Sequence, residues 1–223
     1  MIKGVIFDVD GTLLDSMKVW EQAPIAYLKE LGVEAEAGLA QKLYQLTMEK
    51  GAVYVNQKYK LGKSVQEIME GVNRIALEYY QKKVELKKGV LTLLQTLQEH
   101  EIGMTVATSS DLWLIEAAFS RLDILKYFQK IFTCTEVGYG KDQPEIFLLA
   151  AEWMQTAPQQ TVVFEDSLYA AKTAKEAGFY LAGVYDKALP DEQIQLQGIC
   201  DFYIQNEEDF ANAYQQIKLL ARA

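Results

Sequence analysis

KGVIFDVDGT, residues 3–12, is an apolar run that stops abruptly at two acids, a glycine and a threonine. Val5, Ile6 and Phe7 are apolar at consecutive positions, the pattern of a strand covered on both faces. Asp10-Gly11-Thr12 then supplies turn chemistry, with Gly11 free to take a left-handed conformation and Thr12 offering a hydroxyl and an amide. Carboxylates at Asp8 and Asp10, just past the end of a buried strand, are unfavourable without a partner. A divalent cation is such a partner, and carboxylate and carbonyl oxygens suit Mg²⁺. An EF-hand calcium loop also opens with DxDG, but it needs Gly at its sixth position and Glu at its twelfth; here those are Leu13 and Val19, so that reading fails.

Working outward, short apolar runs of the same kind recur at Ile102–Ala107, Lys130–Cys134, Thr161–Phe164 and Tyr180–Val184, separated by helical patterns. The alternation predicts an α/β fold: a Rossmann-like parallel sheet in a three-layer α/β/α arrangement. Residues 16–85 break it. They show only helical spacing, as in Val65, Ile68, Met69, Val72, Ile75, Ala76 and Tyr79, and predict an inserted all-helical cap domain. The expected domains are therefore a core of 1–15 with 86–223, and a cap of 16–85. An insert after the first strand is expected to hang over the strand ends as a lid, because α/β folds place their sites there.

With 223 residues, half of them hydrophobic, the chain can bury a full core. No stretch approaches the roughly eighteen apolar residues of a membrane helix. The acids in MIKGVIFDVDG do not suit a signal peptide. The expected location is cytoplasmic, with no membrane partner. Cys134 and Cys200 are far apart, without a second Cys or His at ligand spacing, and read as reduced structural residues. The net charge of -9, with no Lys/Arg run, argues against nucleic acid as a partner. Residues 16–85 carry ten Lys/Arg against nine Asp/Glu and the rest twelve against twenty-two, so the insert is the less acidic part. That suits an anionic substrate, but solvated helix faces have the same look.

Three further clusters could carry chemistry. Glu165-Asp166 follows the run Thr161–Phe164 and gives a second acidic strand end, hence one shared metal; the bland reading is an acidic helix start. Ser167 is placed to cap a helix over Leu168–Ala177 that stops at Gly178. Thr108-Ser109-Ser110 closes the run Ile102–Ala107, and its hydroxyls and amides could hold phosphate oxygens. Capping of the helix Leu112–Arg121 by Ser110 or Asp111 would explain part of that cluster, but not Thr108. Lys141 sits in the glycine-rich loop Gly138-Tyr139-Gly140-Lys141 before a helix at Pro144–Met154. A unit charge 4 Å from another contributes about 4 kcal/mol at an effective dielectric near 20, enough to offset repulsion between Asp8 and a phosphate.

Together, DVDGTLLDS (8–16), ATSSD (107–111), GKDQPEIF (140–147) and VVFEDS (162–167) resemble the haloacid dehalogenase superfamily, in its β-phosphoglucomutase-like branch with a helical cap. The resemblance spans about residues 4–184. It implies a Mg²⁺-dependent phosphatase in which Asp8 attacks phosphorus and Asp10 serves as acid and then base. It also implies that Asp8, the Asp10 carbonyl and Asp166 hold Mg²⁺, with Glu165 acting directly or through water, and that Thr108, Ser109 and Lys141 bind the phosphoryl group. Dehalogenases and phosphonatases of the family lack the second Asp, so Asp10 favours phosphate esters. The alternative within the fold is a sugar phosphomutase, whose cap usually supplies a His where this chain has Trp20. The single His, His100, reads as a surface residue in a turn. A second alternative is an idle fold that only binds a ligand or partner.

Two departures from the family pattern stand out. Asp142 and Gln143 occupy the usual GKPAP loop, adding an acid beside Lys141 that is expected to loosen it, and Ala170-Ala171 stand where a glycine is usual. The substrate implied is a small phosphorylated metabolite, with sugar or polyol phosphates favoured by branch. Trp20, Tyr44, Tyr54 and Tyr59 are candidates for its pocket, though aromatics at helical spacing more often pack a core. Monomer and small homo-oligomer both stay open.

Overall fold

The structure, a computed structural model, describes residues 1–44, 46–188 and 190–220, the side chain of Tyr44 excepted. The chain divides into two compact units, residues 1–15 with 85–223 and residues 16–84. Helices α1 (Met17–Glu30), α2 (Leu39–Tyr44), α3 (Met48–Tyr59) and α4 (Val65–Lys82) make up the second unit. Helices α5 (Val90–Glu99), α6 (Leu112–Arg121), α7 (Cys134–Val137), α8 (Glu145–Trp153), α9 (Leu168–Glu176), α10 (Pro190–Ile199) and α11 (Glu207–Leu220) belong to the first.

The first unit is a parallel sheet of β1 (Gly4–Phe7), β2 (Gly103–Thr108), β3 (Lys130–Thr133), β4 (Thr161–Glu165), β5 (Tyr180–Val184) and β6 (Phe202–Ile204) in the order β3-β2-β1-β4-β5-β6. It is the Rossmann-like, three-layer fold the alternation predicts, with one strand more. β6 escapes sequence reading because it has three residues at a sheet edge and only Ile204 is buried. Alternation along the strands supplies both faces. Ile6, Val163 and Leu181 join Phe147, Ala150, Ala171 and Leu196 of α8, α9 and α10 on one side. On the other, Phe7 and Phe164 pack together and reach Phe128 and Phe202 respectively.

β1 lies at the centre of the sheet, with β2 and β3 on one side and β4 to β6 on the other. Strand order therefore reverses between β1 and β4, and in open α/β sheets the crevice at the carboxyl ends of such strands is where ligands bind. Chain exit and return are pinned together: Asp15 N–H donates to the Glu85 carbonyl at 3.0 Å, Lys87 N–H to the Leu13 carbonyl at 2.9 Å, and Leu14 bridges Leu86.

In the helical unit, α4 starts with a reciprocal capping box between Ser64 and Glu67 and buries Ile68, Val72, Ala76 and Tyr80. The helical pattern counted Tyr79; the wholly buried residue is Tyr80, whose hydroxyl accepts the Trp20 indole N–H at 2.9 Å. Tyr54 and Tyr59 pack around Leu28, Leu39 and Val55, and their hydroxyls hold Glu36: Tyr54 donates to its carboxylate and Tyr59 accepts its backbone N–H, each at 2.9 Å. These three aromatics thus take structural partners, whereas Tyr44 presents no described side chain. α1 and α4 touch closely at Gly71, where a Cβ would stand 2.1 Å from the Tyr27 ring.

Candidate active site

Register builds the site. Phe7 pairs with Val106 on β2 and with Phe164 on β4, so the residues just beyond these three positions emerge side by side. Asp8 and Asp10 follow β1, Thr108 ends β2, and Glu165 ends β4 with Asp166 just beyond it. The Asp8 N–H still donates to the Phe164 carbonyl, at 3.0 Å. Past it the backbone knots: the N–H groups of Thr12, Leu13 and Leu14 converge on the Val9 carbonyl, a reversal that Gly11 allows at φ 85°.

Lys141 reaches in from the loop between α7 and α8, and its ammonium donates to Asp8 Oδ1 and, at 2.6 Å, to Glu165 Oε1. All three side chains are buried. The second Glu165 oxygen accepts the N–H of Asp166 at 2.9 Å and both the N–H and the hydroxyl of Ser167 at 3.1 Å. Ser167 therefore occupies the N-cap position of α9 without capping it through its side chain. The Glu165 carboxylate sits at that helix start and draws the Ser167 hydroxyl to itself, which corrects the capping expectation. Asp8 Oδ2 is different: it is buried and has no hydrogen-bond partner, as is Thr12 Oγ1.

One oxygen each from Asp8, Glu165 and Asp166 lie within 4.8 Å of one another. Burial raises the Asp8 carboxyl to about 7, with the Lys141 charge opposing the rise and the Glu165 and Asp10 charges adding to it. Asp166 is raised well above the ordinary carboxylate range, by burial first and then by Asp8 and Glu165. One ammonium stands among three buried acids, and one carboxylate oxygen of Asp8 has no hydrogen-bond partner. This donor set fits a hard divalent cation. With both Glu165 oxygens engaged, Asp8 and Asp166 are the carboxylates with most to offer it.

Thr108 is buried, and its Oγ1 accepts the Ser110 N–H at 3.0 Å. Ser110 does not cap α6; its hydroxyl donates to Asp10 Oδ2 at 2.6 Å. Ser109 is exposed, with its Oγ 3.6 Å from Cys134 Sγ. Asp142 is also exposed, in a turn closed by the Gln143 N–H on the Gly140 carbonyl at 3.1 Å, so this acid leaves the Lys141 contacts to Asp8 and Glu165 intact. The structure thus brings Asp8, Asp10, Thr108, Lys141, Glu165 and Asp166 together at the strand ends and sets Ser109 at their exposed margin.

Sequence reasoning missed an ion pair next to this group, between half-buried Lys87 and buried Asp186. Lys87 Nζ lies 2.9 Å from Asp186 Oδ2 and donates to the Tyr185 carbonyl at 2.6 Å, and both charges act on Asp166. The signal was present: Asp186 is a third acid just past a strand-like run, Tyr180–Val184. His100 stacks on Tyr214 at 4.3 Å, and Cys134 and Cys200 are free thiols.

The profile of the haloacid dehalogenase-like hydrolases matches residues 5–184. A phosphorylated carbohydrates phosphatase of Thermotoga maritima is 27% identical over 177 residues, covering 79% of this chain and 82% of that protein. Hexitol phosphatase B of Escherichia coli is 27% identical over 179 residues, covering 79% and 80%. Among solved structures, β-phosphoglucomutase from Clostridium difficile superimposes with a TM-score of 0.81 at 17% identity, over the whole of both chains.

Proposed function

Because this chain belongs to the haloacid dehalogenase-like hydrolases, we propose that it is a Mg²⁺-dependent phosphatase of small phosphorylated metabolites, sugar or polyol phosphates foremost. The observation that carries the reading is Asp8: a buried carboxylate with one oxygen held by Lys141 and the other unpartnered, beside two further buried acids. An oxygen of Asp8 left without a hydrogen-bond partner is available to attack phosphorus.

In this reading Asp8 attacks phosphorus, the bond from phosphorus to the ester oxygen breaks, and Asp10 gives its proton to the departing oxygen. Asp10 then takes a proton from water, which attacks the aspartyl-phosphate; inorganic phosphate leaves and Asp8 is regenerated. Thr108 and Lys141 hold the phosphoryl oxygens, and Glu165 holds Lys141. Mg²⁺, bound by Asp8, the Asp10 carbonyl and Asp166, supplies positive charge where carboxylates and phosphate meet.

The names of the two relatives support sugar and polyol phosphates as substrates. A phosphatase is favoured over a mutase because the family's cap imidazole is replaced by Trp20, whose N–H is committed to Tyr80. The choice among substrates is proposed to lie with residues of the helical unit. Among the described residues no helix is long and apolar enough to cross a membrane, and the free thiols fit a reducing cytoplasm.

The test is phosphate release from p-nitrophenyl phosphate, sugar and hexitol phosphates, nucleotides and phosphoglycolate, with Mg²⁺ or EDTA. Metal-dependent release is expected, fastest from a sugar or hexitol phosphate. No release from any substrate, or equal release in EDTA, overturns the proposal.

A further inference from the structure

We infer that Ser110 is a positioning residue for Asp10: its hydroxyl holds the carboxylate in the place from which a proton passes to the leaving oxygen. The inference rests on the acid role proposed for Asp10. Its geometry is independent of that role. Ser110 Oγ donates to Asp10 Oδ2 at 2.6 Å, across 100 residues of sequence and from the end of one strand to the end of its neighbour. That distance is at the short end for a bond between two oxygens.

Both partners are well placed for this. Ser110 is 9% exposed, so its hydroxyl has little water to turn to. Its backbone N–H is tied to Thr108 Oγ1, which fixes the turn after β2 and leaves the Thr108 hydroxyl proton available for a phosphoryl oxygen. Capping does not account for Ser110, since α6 starts at Leu112 with Asp111 at its N-cap position. On the other side, the knot on the Val9 carbonyl fixes the backbone around Asp10, and the bond from Ser110 reaches its carboxylate. Through the Ser110 turn it links the residue proposed to hold the phosphoryl group to the residue proposed to protonate the leaving group.

A proton donor matters in proportion to how badly the leaving group needs the proton. p-Nitrophenolate departs as a stable anion; the alkoxide of a sugar or polyol does not. kcat/KM covers the steps through formation of the aspartyl-phosphate, so it isolates the step in which Asp10 acts as acid.

The experiment measures kcat/KM of the full chain with Mg²⁺ on p-nitrophenyl phosphate and on the alkyl phosphate the wild type hydrolyses fastest. Ser110→Ala is expected to lower the alkyl value about tenfold or more and the aryl value less than about threefold. Ser110→Thr, which keeps the hydroxyl, restores the alkyl value. Equal losses on both substrates, no loss on either, or a threonine variant as impaired as the alanine one overturns the inference while the phosphatase reading stands. A wild type inactive on both overturns that reading, and this inference with it. Should Ser110→Ala not fold by circular dichroism, Ser110→Cys, of similar size and a weaker donor, carries the same comparison with a smaller alkyl-selective loss expected.

Discussion

Lys141 Nζ and Glu165 Oε1 lie 2.6 Å apart with both side chains at most 2% exposed, and the same ammonium also serves Asp8. Glu165→Ala leaves Lys141 with Asp8 as its acidic partner but strips the Asp166 and Ser167 N–H groups of their acceptor, so it is expected to lower stability by about 2–3 kcal/mol in urea denaturation and to lose most turnover. A stability within about 0.5 kcal/mol of wild type would show that Glu165 does not hold these groups.

Asp8→Asn is expected to abolish turnover while the protein keeps its fold. In EDTA at neutral pH it should melt at or above the wild-type temperature, since one of three crowded buried carboxylates is gone. Asp10→Ala should slow hydrolysis of an alkyl phosphate by about 10²-fold or more. Wild-type rates from either purified variant would sink the assigned chemistry.

The raised carboxyls make a pH prediction whose sign is fixed. Asp8 moves from an ordinary 3.8 to about 7 on folding, so between those values the folded protein binds the proton more tightly than the unfolded chain. Metal-free protein must then lose stability as pH rises through this window. Asp166, raised in the same direction, adds to the trend. Thermal melts in EDTA should fall by a few degrees between pH 5 and pH 7.5, and Mg²⁺ should raise the melt more at pH 7.5 than at pH 5. Equal Mg²⁺ shifts at both would mean that the ion does not bind these carboxylates.

Gly71→Ala tests the helical unit alone. Its Cβ would fall 2.1 Å from the Tyr27 ring, and a ring packed between helices has little room to yield. Overpacking of this kind destabilises by about 1–3 kcal/mol, so a fall of several degrees in melting temperature is expected. An unchanged melt would mean that α1 and α4 separate at no cost.

Much of this was legible in the sequence. β1 is readable because Val5, Ile6 and Phe7 are buried on both faces, and a run of that kind resembles nothing but a core segment. Acids just past such runs pointed to Asp8 and Asp166. Partnership was harder to read. Nothing local says that Ser110 bonds Asp10 rather than capping α6, or that Glu165 spends its oxygens on Lys141 and Ser167, because those choices are made by residues far away in the chain. Tyr80, not Tyr79, is the buried ring because Trp20 offers it a donor from another helix. β6 has too few residues to announce itself.

The pinched neck at Leu13–Asp15 and Glu85–Lys87 has an evolutionary consequence. Where the two ends of an insertion are already hydrogen-bonded to each other, the length and content of what lies between them hardly alter the entropy of closing that loop. A host built this way tolerates wholesale replacement of its guest. The helical module between Ser16 and Val84 can thus vary in length and content without disturbing the hydrogen bonds that close the strand-end side of the neck.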